Sequence, residues 1–312
     1  MRYAILSDIH GNAYALEAVL ADATKREVDA FIFLGDYCSP LPWSNEVIEM
    51  IRHIDKATVI CGNNEGYFVD LQGKDHTTWT NKQFMPTYWH YRQLRPENLA
   101  YILSLPKTAS IADETTQIHL SHSSNIFIGK TKLWPFHTST FRKMMEKEAF
   151  NHEEYLKLAL DTVLSHPELV DDILALPAGV YLNGHNHLQF HMEYDCKLFI
   201  NPGSCGASAD FNPAASYSIL QISDGHPEVE ECKVSYDYIS VAKTLQQSTF
   251  ALEMPEWTEI QVRQLLEAKE YTSYFLSHLQ ATCRRMNLPD AMPVSNEVWD
   301  AAIKTWDINA IE

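Results

Sequence analysis

Short apolar runs recur through the first two hundred residues: RYAIL (2–6), AFIFL (30–34), ATVIC (57–61), TQIHL (116–120), GVYLN (179–183) and KLFIN (197–201). Each has the length of a strand and is continuously apolar rather than alternating, the pattern of strands buried on both faces. Between the first two, Leu16, Val19, Leu20 and Ala23 fall at i, i+3, i+4 and i+7, one face of a helix. A second helix is predicted over Asn45 to His53, with Val47, Ile48 and Ile51 inward. Strand, helix, strand, helix, strand is the order of an α/β layered fold with parallel pairings.

Two segments interrupt this rhythm. Residues 66 to 106 are aromatic-rich and predicted helical, and residues 137 to 176 form a helical insertion before the GVYLN strand. Such an insertion either caps the strand ends or packs on the sheet. The pattern therefore divides the chain into a layered domain, 1–245, and a helical C-terminal extension, 246–312. In the extension, Thr258 and Gln261 form a capping-box pattern, with Trp257 placed to staple onto Val262. One helix then runs through Leu265, Leu266, Phe275, Leu276, Leu279 and Met286 to Pro289, and a last short helix holds Val298, Trp299, Ile303 and Trp306. Its aromatic residues serve either internal packing or a homo-oligomer interface.

The residues that follow the apolar runs carry the chemistry. Asp8 and His10 follow the first in SDIHGN, Asp36 the second in GDY, and Asn63 and Asn64 the third in GNNE. His122 follows the fourth in SHSS, and His185 and His187 the fifth in GHNH. The carboxyl ends of parallel strands share one edge of a sheet, where α/β proteins place their sites. Taken singly, Gly-Asp and Gly-Asn are ordinary turn pairs. The ordered set is different, because five segments deliver carboxylates, an amide and imidazoles to one rim. These donors suit manganese, iron, zinc or nickel without a thiolate. They are too many for one ion and enough for two sharing a carboxylate, with about +2 left over to attract phosphate.

The overall charge changes this picture only by contrast. The formal net charge is −17, so bulk nucleic-acid or anionic-membrane binding is disfavoured. The N-terminus has no signal-peptide pattern, no stretch approaches a membrane span, and six cysteines lack C-x-x-C spacing, all consistent with a cytoplasmic protein with free thiols. Lys130, Lys132, His137 and Arg142 form a small basic run, read as a solvated face or an anion contact. Asn12 N-caps the first helix or touches phosphate there. His119 and His191 read as sheet residues.

SDIHGN, LGD, CGNNE, SHS and GHNH in this order resemble the calcineurin-like metallophosphoesterase superfamily, over about residues 1 to 225. SDIHGN…ALEAVL and INPGS resemble its small bacterial and archaeal branch of phosphodiesterases and diadenosine-tetraphosphatase-like enzymes. The resemblance implies a two-sheet β-sandwich flanked by helices. It also implies two divalent ions, one held by Asp8, His10 and His187, the other by Asn63, His122 and His185, with Asp36 bridging. Asp36 and Asn63 are thus the expected catalytic residues, and the implied reaction is in-line attack on phosphorus by a hydroxide between the ions. Many family phosphatases have histidine where this chain has Asn64, and an amide supplies no catalytic proton. Asn64 and Asn12 are the expected substrate contacts, and the expected substrates are phosphodiesters, nucleotides or dinucleoside polyphosphates. A serine/threonine protein phosphatase and a metal-free scaffold of the same fold are the alternatives.

Overall fold

The computed structural model describes residues 1–124, 127, 151–289 and 292–310. The strands are β1 Arg2–Leu6, β2 Ala30–Phe33, β3 Ala57–Val59, β4 Thr108–Asp113, β5 Thr116–Ser121, β6 Gly179–Leu182, β7 Gln189–Tyr194, β8 Lys197–Pro202, β9 Ala215–Ser223 and β10 His226–Val234. The helices before and between them are α1 Ala13–Lys25, α2 Ser44–Arg52, α3 Asn63–Leu71, α4 Met85–Gln93, α5 Pro96–Ser104, α6 His152–Ser165 and α7 Pro167–Leu174. After β10 come α8 Tyr238–Gln246, α9 Thr249–Glu253, α10 Pro255–Glu267, α11 Tyr271–Arg285 and α12 Asn296–Ile303.

Two five-stranded sheets result, in the orders β10-β9-β1-β2-β3 and β4-β5-β6-β8-β7. The parallel pairings predicted from the strand–helix alternation are β1–β2–β3 and β5–β6–β8, while β9, β10, β4 and β7 add antiparallel edges. Continuous apolarity has a direct cause, because both faces of each parallel strand are covered. Ile5, Ile32, Leu120, Val180, Leu182 and Ile200 meet between the sheets. On the outer side of the first sheet, Leu6 and Phe33 pack against Leu16 and Val19 of α1 and Val47, Ile48 and Ile51 of α2. The outer side of the second sheet is covered by Leu169 and Ile173 of α7, which meet Tyr181, Phe190 and Phe199. Of the insertion predicted over 137–176, the described part therefore packs on the sheet rather than over the strand ends. Its beginning, with His137 and Arg142, and Lys130 and Lys132 before it, lies outside the described residues.

The extension departs from its prediction in two places. The capping box does not form, because α10 begins at Pro255. Thr258 lies inside the helix, where its hydroxyl donates back to the carbonyl of Met254 at 2.9 Å. A proline at the first helical position starts the helix without a side-chain cap. The second departure is a break in the expected long helix. Ala268 adopts a left-handed φ of 49°, and the chain restarts as α11 after Glu270. Trp257 packs on Phe275 and Trp299 rather than stapling onto Val262. The aromatic residues form a core of their own, with Phe250, Phe275, Leu279 and Trp299 joined by Leu41 and Trp89 from the layered part. Among the described residues no helix is long and apolar enough to cross a membrane, and all six cysteines are free thiols.

Phe275 is fully buried at the centre of that helical core. Phe275→Ala is expected to cost about 3–5 kcal/mol in urea unfolding, whereas Leu252→Ala, at an exposed position, should stay within about 0.5 kcal/mol. Equal effects from the two substitutions would contradict this packing.

Candidate metal centre

The loops leaving β1 and β2 continue to pair after the sheet ends. The amide of Asp8 donates to the carbonyl of Gly35, His10 to Asp36 and Gly11 to Tyr37, at 3.0, 2.9 and 2.8 Å. This ladder sets Asp8 and His10 beside Asp36. The second sheet is tied to the same point, since the amide of Gly184 donates to the carbonyl of His122 and that of His185 to Asp8 Oδ2. The loop after β8 closes the ring through Cys205 and Gly206, which donate to the carbonyls of Ser7 and Asp8.

Side chains reach the rim centre through unusual backbone geometry. Asp8, His10, Asp36, His185 and His187 all have φ between 53° and 76°. Each such residue costs on the order of 1 kcal/mol, so five together are comparable to the lower end of a domain's net stability and must be held by their surroundings. Two glycines allow the close approach. A Cβ on Gly62 would lie 2.1 Å from Asp36 Oδ1, and one on Gly184 would lie 2.6 Å from Asp8 Oδ2.

Two donor groups form. Asp8, His10 and His187 make one, and Asp8, Asp36 and His122 the other, with the ligand atoms of each within 4.8 Å of one another. Asp8 Oδ1 lies 3.4 Å from His187 Nε2, 3.7 Å from His10 Nε2 and 4.0 Å from His122 Nε2. Asp36 Oδ2 lies 3.5 Å from His122 Nε2 and 4.0 Å from His10 Nε2, so each carboxylate faces both groups. Asn63 stands at the first turn of α3 with Oδ1 3.0 Å from His122 Nε2, on the second group's side. His185 is at the edge, its ring 5.2 Å from that of His122 and exposed, outside both close groups.

The donor set fits divalent cations. Asp8 is completely buried, and its Oδ1 accepts no hydrogen bond although it points at three imidazole nitrogens. An unpartnered buried carboxylate oxygen is costly unless a cation meets it. His10 Nε2 and His187 Nε2 are 2.9 Å apart, a separation that two ring nitrogens tolerate only with a proton or a cation between them. The other ring nitrogens are held from behind: His10 Nδ1 by the carbonyl of Ser39 at 2.6 Å and His122 Nδ1 by that of Leu34 at 2.8 Å. Such partners fix the tautomer that leaves Nε2 free to ligate.

The site's charges offset one another in the metal-free protein. Burial alone would push the Asp8 and Asp36 carboxyls up, but the imidazoles around them hold both below the usual range. Burial opposes charge on His122 too, yet Asp36 outweighs it and raises this imidazole to about 9. His187 is raised as well, against burial, by Asp8 and Glu270.

Glu65 has no role assigned by the sequence pattern, and it organises the rim. Fully buried, its carboxylate accepts from the amides of Gly62, Asp36 and Tyr37 at 2.8–2.9 Å and from Cys38 at 3.3 Å. Burial and the neighbouring Asp36 push this carboxyl up to about 7, against the pull of those amides. It joins the GDYC and GNNE loops and thereby sets Asp36 beside Asn63. Asn64 donates to Asp36 twice, from its backbone at 2.9 Å and from Nδ2 at 2.8 Å. Asn12 caps α1: it is fully buried, accepts from the amide of Ala15 and donates to Gly206 O and Tyr236 Oη. His119 stacks on Tyr181 and His191 pairs with Glu231, both as sheet residues.

Above the rim lies a cleft of about 260 Å³. One wall comes from Asn64, Tyr67, Gln83 and Phe84, the other from Trp257, Gln261, Gln264 and Leu276 of α10 and α11. Asn81, Lys82 and Gln83 bond to Val294 and Asn296 and so tie the first wall to the C-terminal extension. The structure thus covers the site with the C-terminal helices, which the sequence pattern marks only as packing or interface.

A four-layer sandwich with this donor cluster at the carboxyl ends of its parallel strands is in keeping with the family that the sequence matches. The chain belongs to the calcineurin-like phosphoesterase superfamily, whose domain matches residues 1–225. It is 26% identical over 270 residues to an uncharacterized protein of Methanocaldococcus jannaschii, covering 81% of this chain and 94% of that one. In structure it is similar to a metallophosphoesterase from Sphaerobacter thermophilus, with 23% identity and a TM-score of 0.58 over 86% of this chain and 99% of the other. It is also similar to a hypothetical protein from Pyrococcus horikoshii, with 16% identity and the same TM-score over 86% and 98% of the two chains.

Two predictions follow from this geometry. Above pH about 8, where the Glu65 carboxyl is charged, Glu65→Gln replaces a charged acceptor by a neutral one with a single oxygen and should cost about 1.5–3 kcal/mol in urea unfolding; an unchanged midpoint would deny Glu65 its organising role. Because ligating imidazoles must be neutral, metal binding to the apo protein should release a proton from His122 below pH about 9. Apparent affinity should therefore rise with pH, roughly tenfold per unit for each proton released, with the His122 contribution ending above that value. Calorimetry in buffers of different ionisation enthalpy counts the protons, and a pH-independent affinity would contradict the assignment.

Proposed function

We propose that this protein hydrolyses small phosphoesters, with phosphodiesters and nucleotides as its substrates, using two divalent ions held at the strand-end rim. The observation that carries the reading is the completely buried, unpartnered Asp8 Oδ1 amid three imidazoles, two of which, His10 and His187, line a ligand-sized cleft. Asp8, His10 and His187 would hold the first ion, Asn63, His122 and His185 the second, with Asp36 between them. Bound ions of this kind supply a water-derived nucleophile at neutral pH and neutralise charge on the phosphoryl oxygens.

The chain's own residues decide the rest. Asn63 contributes an oxygen without charge, which leaves its ion electrophilic. The paired amides of Asn64 orient Asp36, and Asn64 also borders the cleft, where an amide can donate to a phosphoryl oxygen. With no acid at that position, chemistry favours leaving groups that depart with little protonation, such as nucleotides or phosphoanhydrides. Among the described residues the cleft walls offer no lysine or arginine. Tyr67, Phe84 and Trp257 line it together with Gln83, Gln261 and Gln264. This lining suits a neutral, planar, hydrogen-bonding group such as a nucleobase better than a long polyphosphate chain.

Apo protein loaded in turn with Mn, Fe, Zn or Ni should turn over bis-(p-nitrophenyl) phosphate faster than p-nitrophenyl phosphate, and Asp36→Asn should lower kcat by at least about 100-fold. Ap4A and a phosphoserine peptide complete the panel. Preference for the peptide would favour a protein phosphatase instead, and turnover of nothing with any ion would leave a scaffold.

A further inference from the structure

We infer that Glu270, supplied by the helical extension, is a positioning residue for His187, and that it links occupancy of the first ion site to docking of the extension. The inference rests on Asp8, His10 and His187 being that ion's ligands. His187 directs Nε2 at Asp8 and His10, while Nδ1 points the other way into buried surroundings without a hydrogen-bond partner of good geometry. The group facing Nδ1 is Glu270, with Oε2 3.3 Å away. An imidazole that ligates through Nε2 keeps its proton on Nδ1, and that proton needs an acceptor. A buried carboxylate at this distance is one.

Three features of the extension show that Glu270 is free for the task. It occupies the cap position of α11, yet its side chain makes no capping bond to its own helix. The neighbouring cation is turned away, since Lys269 Nζ lies 3.8 Å from Glu267 and over the Phe211 ring. Among the described residues His187 is the one basic group within ion-pair distance of Glu270. The left-handed Ala268 places it there by breaking the helix, and the turn is anchored where the amide of Phe211 donates to the carbonyl of Ala268 at 2.9 Å. The same loop holds Gly206, whose amide donates to the carbonyl of Asp8. One short loop thus bonds to the metal rim at one end and to the extension at the other. Coupling through such a contact is reciprocal: what orders the ligand for the ion also lets the ion order the extension.

The test uses the full chain, stripped of metal and titrated with Mn²⁺ while free and bound ion are followed by electron paramagnetic resonance. Glu270→Ala should weaken one of the two binding steps by about 10–100-fold, as removal of such a partner does, and leave the other nearly unchanged. Glu270→Gln, which keeps an oxygen acceptor, should fall between. In hydrogen exchange, Mn²⁺ should slow the amides at the start of α11 in the wild type but not in Glu270→Ala. Lys269→Ala, in the same turn, should match the wild type in both measurements. Two ions bound to Glu270→Ala with wild-type affinity, or equal damage from Lys269→Ala, would overturn the inference. Folded wild type that binds no ion would remove the metal-centre reading itself, and this inference with it.

Discussion

Two carboxylates buried at one end of a β-sandwich, Asp8 and Asp36, impose the condition that the rest of the molecule meets. Neither can be hydrated, and both lie within reach of the same imidazoles. A buried charge of this kind is tolerated only when cations or hydrogen-bond donors surround it. In the metal-free protein, charged His122 and His187 meet part of that demand, and divalent ions meet it when bound. The backbone geometry follows from the same requirement. Left-handed conformations at five ligand positions and glycines pressed against the carboxylates bring side chains from both sheets to one point. Such strain survives because loop-to-loop amide bonds and Glu65 hold the rim from several sides.

The helical extension belongs to this economy as well. Its aromatic core docks on Leu41 and Trp89 and sets a wall of glutamines and aromatics over the rim. The similarity to the Sphaerobacter protein covers more of the chain than the 225-residue family match, so the shared architecture continues beyond the minimal domain. In this chain, the cover over the strand ends comes from after the sandwich. The described part of the insertion between its strands instead shields the outer face of the second sheet.

Much was legible in the residues because strands and sites share one rule. Buried parallel strands need continuous apolar runs, and the polar residues just past those runs sit on a common edge. That rule puts Asp8, His10, Asp36, Asn63, His122 and His187 on one rim, and in the structure they form one cluster. It also placed His185 on the same rim, although the exposed ring lies outside both close groups. Glu65 escaped because its work is done through backbone amides, which leave no mark in composition or spacing. The reading of the extension erred for a local reason. The apolar spacing on either side of Ala268 suits one continuous helix, and alanine, the strongest helix former, gives no sign of a left-handed break.

By itself, the order of apolar runs and ligand-type residues determined the class of fold, the edge that carries the chemistry and the kind of cation that suits it. These properties depend on residue type and period, which a linear chain displays. Which atoms meet was decided only in three dimensions: Asn12 turned inward as a cap, Asn64 was drawn onto Asp36, and Glu270 was brought beside His187 from 83 positions further along the chain. Such contacts are set by where a helix breaks and how an extension docks. No local pattern encodes them, because the residues that fix each contact are distant in sequence and meet only after the layers have packed.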